Sequence, residues 1–428
     1  MGESTGPQAR TAASAGALGT ILFSRTIINS SFRVVYPFLP VISRGLSVPL
    51  TAVSFLLTLR ALAGLSSPFF GPLSDRYGRR SLMLAGLGML AMGSALIAGR
   101  PTYGVATLAF VLLGLSKTAY DPAMQAYLGD AVPYHRRGRV FGITELSWSA
   151  AWLVGVPATG FLIERAGWQT PFVALALLAL VSLFFTWRLS PDQPRRTSST
   201  ASRWTGPFVP PLGLSVSTEP SGRGLDGVSG RRLTTGLRHS RGPWLGLVVG
   251  LLFMFAIENV FVVYGAWMEE SFSLSVGALG LASSVIGIAE AVGEGASAGL
   301  VDRLGKKTAV LGGLLLNAGA YLLLPLLSGA LVSALVGLFV LLLAFEFSIV
   351  SSVPLISELA PGARGTLMAL NVAALSAGRM AGSLTATPLW LRGGLELNTA
   401  VSCGAALAAF ALLLLFVPEP GESPELKG

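Results

Sequence analysis

The stretch GPLSDRYGRR at residues 71–80 and the stretch GLVDRLGKK at residues 299–307 are two versions of one loop, each with an acid and an arginine (Asp75-Arg76, Asp302-Arg303) followed by a glycine and a basic pair. The two acids are 227 residues apart. Downstream, Asp130-Ala-Val-Pro133 with Arg137-Gly138 is echoed by Glu358-Leu-Ala-Pro361 with Arg364-Gly365, now 228 apart at the acid. Spacing this constant marks an internal duplication of two halves in parallel orientation.

What surrounds those loops fixes the class. Of the 428 residues, 52% are hydrophobic and only 12% are charged, against roughly a quarter charged in soluble domains. A spanning helix needs about 20 mostly apolar residues, and twelve such runs are expected, at 17–41, 50–74, 81–99, 103–129, 139–163, 170–189, 244–268, 276–301, 307–328, 331–358, 364–390 and 395–417. The expected fold is therefore an all-α membrane protein of two pseudo-symmetric six-helix bundles, 17–189 and 244–417, between short tails at 1–16 and 418–428. The first run is too long, and too rich in Arg and Asn, for a cleavable signal peptide. A lone Cys403 forms no internal disulfide, and His135 and His239 stand in charged loops away from any Cys/His cluster, so no metal or cofactor is expected. No phosphate loop or nucleophile elbow is present, which argues against an ATP-driven pump or an enzyme. Only four of the 30 basic residues are lysine, and the net charge of +9 reflects membrane topology rather than nucleic-acid binding.

Lys and Arg excess marks cytoplasmic loops. With both termini on one side, that side collects 21 basic residues and the other collects four, which predicts cytoplasmic termini in a bacterial inner membrane. Residues 190–243 change character: 30 of these 54 are Ser, Thr, Gly or Pro. A flexible linker is expected there, reaching about 40 Å as a coil.

Eleven charges lie near the middle of the predicted spans, Glu145 nearer an end: Arg25, Arg33, Arg60, Lys117, Asp121, Glu145, Glu258, Glu290, Glu294, Glu346 and Arg379. At about 2.5–3.5 kcal/mol each at a helix centre, they must face protein, water or one another. Spans 1, 4, 7 and 10 each carry at least one of these eleven, and spans 3, 6, 9 and 12 carry none of them. That three-helix period predicts that the first helices of four units line a cavity and the third helices face lipid. Arg25, Asn29 and Arg33 share a helix face, as do Lys117 with Asp121 and Glu290 with Glu294. The first half contributes four cations and two acids and the second one cation and four acids, so ion pairs between halves are expected. Aromatic residues at 36, 120, 148, 152, 261, 264, 267 and 345 stand on cavity or flanking helices, with Tyr120 and Trp152 the favoured ligand contacts.

In its loop motif and twelve-span layout the chain resembles the major facilitator superfamily of secondary transporters, nearest in pattern to bacterial proton antiporters for drugs and other small molecules. The resemblance implies that Gly71, Asp75, Arg76, Gly78, Arg79 and Arg80 form a gate. Asp75 would meet the cytoplasmic end of span 11, and Arg79 or Arg80 would pair with Asp130, while Asp302, Arg303 and Glu358 repeat the device in the second half. Two departures weaken the drug-antiporter assignment. The family's span-4 arginine falls at Phe110, and its span-5 glycine-proline signature survives loosely as Gly155-Val-Pro157-Ala-Thr-Gly160.

Burial favours the protonated form of a carboxyl group and an adjacent guanidinium favours the ionised form. An acid that gains and loses a basic partner as the halves rock therefore carries a proton with the motion. Glu258 and Glu346 are the first candidates, Asp121 is expected to be held by Lys117, and Glu290 and Glu294 would repel if both were ionised. The expected activity is proton-coupled movement of a small organic molecule by a monomer in the bilayer, in the export direction. Arg25, Asn29, Arg33 and Arg60 would equally suit uptake of a polar or anionic nutrient. A non-transporting receptor or accessory subunit is the remaining alternative.

Overall fold

The computed structural model describes residues 15–132, 134–189, 241–360 and 363–417, and all regular structure among them is helical. Most of the expected tails and linker, 1–16, 190–243 and 418–428, lies outside the described residues. The helices order as twelve spans. Span 1 is Ala15–Arg33 and Leu39–Leu46, span 2 Leu50–Gly64 and Ser67–Tyr77, span 3 Arg79–Gly99 and span 4 Tyr103–Ala131. Span 5 runs from Tyr134–Ala150 through a π-helical turn at Ala151–Gly155 into Val156–Ala166, and span 6 is Thr170–Trp187. Span 7 is Arg241–Phe272, span 8 Val276–Ala282 with Ser284–Leu304, span 9 Lys306–Leu326 and span 10 Leu331–Glu358. Spans 11 and 12 share Arg364–Phe416 on either side of a break at Gly393 and Gly394. Nine described helices are long and apolar enough to cross a bilayer unaided. Counting Arg364–Phe416 twice, and adding spans 1 and 2, each broken in two and carrying buried arginines, gives twelve.

Broken spans have local causes. Pro37 keeps the first helix of span 1 from continuing, since proline lacks the N–H that would extend it, Pro40 stands in the first turn of the second piece, and the Pro37 carbonyl is left pointing at Gly265 of span 7. Any Cβ at position 265 would collide with it. Pro68 breaks span 2 in the same way, after Leu65 and Ser66.

The duplication is written in the backbone. Among the described residues the positive-φ positions are Ser47, Gly78, Gly167, Ser273, Gly305 and Gly394, which pair at offsets of 226, 227 and 227. Gly78 (φ 90, ψ 144) and Gly305 (φ 84, ψ 142) separate spans 2 and 3 and spans 8 and 9, in a region essentially reserved for glycine. Ion pairs repeat too: Arg79 Nε lies 3.1 Å from Asp130 Oδ2, and Lys306 pairs with Glu358. Arg80 donates to the Trp187 carbonyl at the end of span 6, and Lys307 to the Leu414 carbonyl near the end of span 12, 3.4 Å away. Each basic pair thus ties its span 3 to span 4 with one residue and to span 6 with the other.

Spans 6, 9 and 12 present large apolar side chains outward, including Leu177, Leu322 and Leu415. In span 7, 78% of the most apolar stretch is buried, against 33% in span 6, which separates an inner helix from an outer one. Spans 3 and 4 do not differ, at 50% each, because the inner face of span 4 borders an open cavity rather than protein.

Candidate functional site: a charged cavity between the halves

A cavity of about 1270 Å³ lies between the halves. Its walls run from Arg33, Glu346 and Arg379 outward to Gly142, Asp302 and Gly365, so it extends to the side carrying the 71–80 and 299–307 loops. A smaller pocket of about 260 Å³ adjoins it and shares Pro122, Gln125 and Arg379. Neither takes a wall residue from spans 3, 6, 9 or 12.

On the opposite side the halves are in contact. A Cβ at Gly160 of span 5 would lie 2.9 Å from the Val276 carbonyl of span 8, and one at Gly287 would lie 2.8 Å from Trp152 Cβ. Glycine lets these helices touch backbone to backbone, the role small residues play inside membranes. Arg44 at the end of span 1 pairs with Glu269 of span 7 at 2.7 Å.

Between the open and closed ends the charges form two sets. Within the first half, Arg25 Nη2 holds Glu145 at 2.9 Å, with its Nε 3.9 Å from Asp121. Lys117 Nζ holds Asp121 at 2.7 Å and donates to Asn29 at 2.6 Å, and Asn29 in turn donates to Ser147 at 2.9 Å. Lys117 Nζ also sits 4.0 Å above the Trp148 ring. The second set crosses between halves. Arg33 Nη2 meets Glu290 Oε1 at 2.6 Å, the Trp152 indole donates to the same oxygen at 3.1 Å, and the Tyr36 hydroxyl donates to Glu258 at 2.9 Å. Arg33 lies 4.6 Å from the Trp148 ring centre and 5.3 Å from that of Trp152. Span 1 therefore holds two carboxylates of the other half, and both are buried.

Five charged residues in the walls stand outside these pairs, one of them Asp302 at the mouth of the larger cavity. Glu294 and Glu346 line the larger cavity and have no ion-pair or hydrogen-bond partner among the described residues. Arg60 donates to the Phe32 carbonyl at 3.0 Å and covers the Phe32 ring, and Arg379 directs its Nε to the Met254 sulfur at 3.3 Å.

The sequence profile of the Major Facilitator Superfamily matches residues 21–257 and again 246–428. The chain belongs to that superfamily. This facilitator is 25% identical over 361 residues to the uncharacterized MFS-type transporter YceJ of Bacillus subtilis (strain 168), covering 83% of this chain and 85% of that one. It is 27% identical over 324 residues to the tetracycline resistance protein, class C, of Escherichia coli, covering 72% and 73%. Its fold matches the crystal structure of a D-xylose-proton symporter with a TM-score of 0.72 at 17% identity, over 95% of this chain and 98% of that one.

Of the facilitator's loop residues, Arg79 reaches Asp130, Arg76 lies exposed over Tyr77, Asp302 stands at the cavity mouth and Arg303 is exposed in the last turn of span 8. Glu358 pairs with Lys306. The side chain of Asp75 and the position of Gly71 as a packing site lie outside what is described. Tyr120 is fully buried in contact with the Gly86 position of span 3 and lines neither cavity, whereas Trp152 is buried beneath Arg33. Tyr36 and Trp148, two of the other aromatics, join Trp152 in making the polar and cation contacts. Gln125 and Asn371, both in the larger cavity's wall, carried no notice in the sequence. Gln125 had a signal: it stands four residues past Asp121 and eight past Lys117, on one helix face.

Proposed function

We propose that this facilitator is a proton-coupled secondary transporter that exports a small organic molecule across the bacterial cytoplasmic membrane by alternating access, as a monomer with both termini and the 71–80 loop in the cytoplasm. The observation that carries the reading is the reach of span 1 to two carboxylates of the other half, Arg33 to Glu290 and Tyr36 to Glu258. Opening the closed side separates the halves and strips both acids of those partners. A carboxyl group that keeps a guanidinium in one state and loses it in the other binds a proton differently in the two, so proton movement and the rocking of the halves become one event. Glu346, unpaired in the open cavity, is the acid that exchanges with solvent on the loop side. Export is supported by the tetracycline-resistance relative and by a cavity large enough for a drug-sized molecule.

The test is the internal pH of proteoliposomes under an imposed proton gradient while lipophilic cations, organic anions, sugars and amino acids are added in turn. Gradient collapse with an organic solute, lost in Glu258→Gln, Glu290→Gln and Glu346→Gln, is expected. Solute flux with no proton movement would remove the coupling, collapse with nutrients alone would reverse the direction, and binding without flux would leave a receptor.

A further inference from the structure

Unpaired charge is sorted by sign across the two connected cavities. In the smaller pocket Lys117 is matched by Asp121, and the remaining carboxylate, Glu258, accepts from the Tyr36 hydroxyl. That leaves Arg60 and Arg379, neither with a carboxylate oxygen at ion-pair distance among the described residues. Arg60 is 3% exposed and donates one N–H to the Phe32 carbonyl; Arg379 faces a thioether sulfur, a weak acceptor. A guanidinium has five donors, so both retain capacity for an anion. In the larger cavity the count reverses. Arg33 is matched by Glu290 and Glu145 by Arg25, which leaves Glu294 and Glu346, with Asp302 at the mouth. Arg379 and Gln125 belong to both walls, so one molecule can touch both regions.

We infer that the molecule this facilitator carries is dipolar, with an anionic group seated between Arg60 and Arg379 and a cationic group facing Glu294 and Glu346. The inference rests on the transport reading and names its substrate class. Two guanidiniums that share a single acid, Glu258, keep one positive charge in excess and are suited to a planar carboxylate, which arginine binds through paired hydrogen bonds. The cationic end, set against Glu346, competes with the proton for the same carboxylate, so the molecule loads as the proton leaves and the two are not held at once.

The probes are four charge forms of one scaffold: 2-naphthylalanine, its methyl ester, its N-acetyl derivative and the N-acetyl methyl ester. Binding of each to the full-length protein in nanodiscs is measured by equilibrium dialysis, with no gradient imposed. The zwitterion is expected to bind at least about tenfold tighter than either singly charged form. Arg60→Gln or Arg379→Gln should erase its advantage over the methyl ester, and Arg60→Lys should restore it in part. Glu294→Gln with Glu346→Gln should erase its advantage over the N-acetyl form. The wild-type comparison stands even if a variant fails to fold. Equal binding of the ester removes the anionic subsite, equal binding of the N-acetyl form removes the cationic one, and binding by none of the four overturns the inference. Zwitterion preference without proton-linked flux would count against the transport reading alone.

Discussion

Arg33 joins the two halves at a point where a missing charge is felt strongly. It is buried, paired to Glu290 at 2.6 Å and stacked near Trp148 and Trp152. Removing one partner of a buried pair leaves the other uncompensated, at about 3–5 kcal/mol. Arg33→Gln is therefore expected to weaken closure of the side held by span 1. A cysteine at Ser149, whose carbonyl faces Gly287 across the halves, should be labelled by a water-soluble maleimide severalfold faster in that variant; unchanged labelling would mean that the pair does not hold the halves. Trp152→Phe removes one N–H from Glu290 and should shift labelling in the same direction by less, since a hydrogen bond to a charged group contributes about 1.5–3 kcal/mol. The eleven intramembrane charges were legible in the sequence because each is costly in lipid. Their partners were legible only where helix spacing joins them, as for Lys117 and Asp121. The Arg33–Glu290 and Tyr36–Glu258 contacts join residues 257 and 222 positions apart, and no local pattern carries that information. Tyr120 and Trp152 show the same limit: aromatic identity marks both, but only packing shows that one faces span 3 and the other supports the cross-half pair.

Helix lengths follow from bilayer thickness, which is why twelve apolar runs could be counted and their boundaries placed within several residues. The breaks are another matter. Pro37 stands near the end of an expected run, 17–41, yet span 1 stops at Arg33, resumes at Leu39 and offers a free carbonyl to Gly265 between the two pieces. The π-helical turn at Ala151–Gly155 stands just before Pro157, and within it Trp152 reaches Glu290 and Gly155 meets Ser30, contacts that no local pattern announces. At this scale Gly265→Leu should prevent closure by collision with Pro37, without touching a charged group. Gly78→Ala and Gly305→Ala test the paired hinges: each forces a side chain into a backbone region that costs about 1–3 kcal/mol. Both should lower the thermal stability of the purified protein by similar amounts, since the two glycines have nearly the same φ and ψ. A large effect at one and none at the other would show that the repeat is not energetically symmetric.

The molecule as a whole is one unit used twice, with positive-φ positions, ion pairs and helix-end hydrogen bonds recurring at offsets of 226–228. The sequence revealed this duplication through its two loops, and the charge imbalance between halves pointed to contacts across them. It gave no sign of which side is open, because that depends on the balance between two closures that use different residues. In this structure the cavity reaches the loop side, and Arg44–Glu269, Gly160–Val276 and Gly265–Pro37 close the other. Movement of a solute then requires that the closed contacts part. The most direct measurement replaces Arg44 and Glu269 with cysteine in a Cys403→Ser background, bridges the pair with a short bismaleimide, and follows solute-linked proton flux in proteoliposomes. Alternating access predicts that flux ceases on bridging, while either single-cysteine variant treated in the same way keeps it. Undiminished flux through the bridged protein would contradict alternating access.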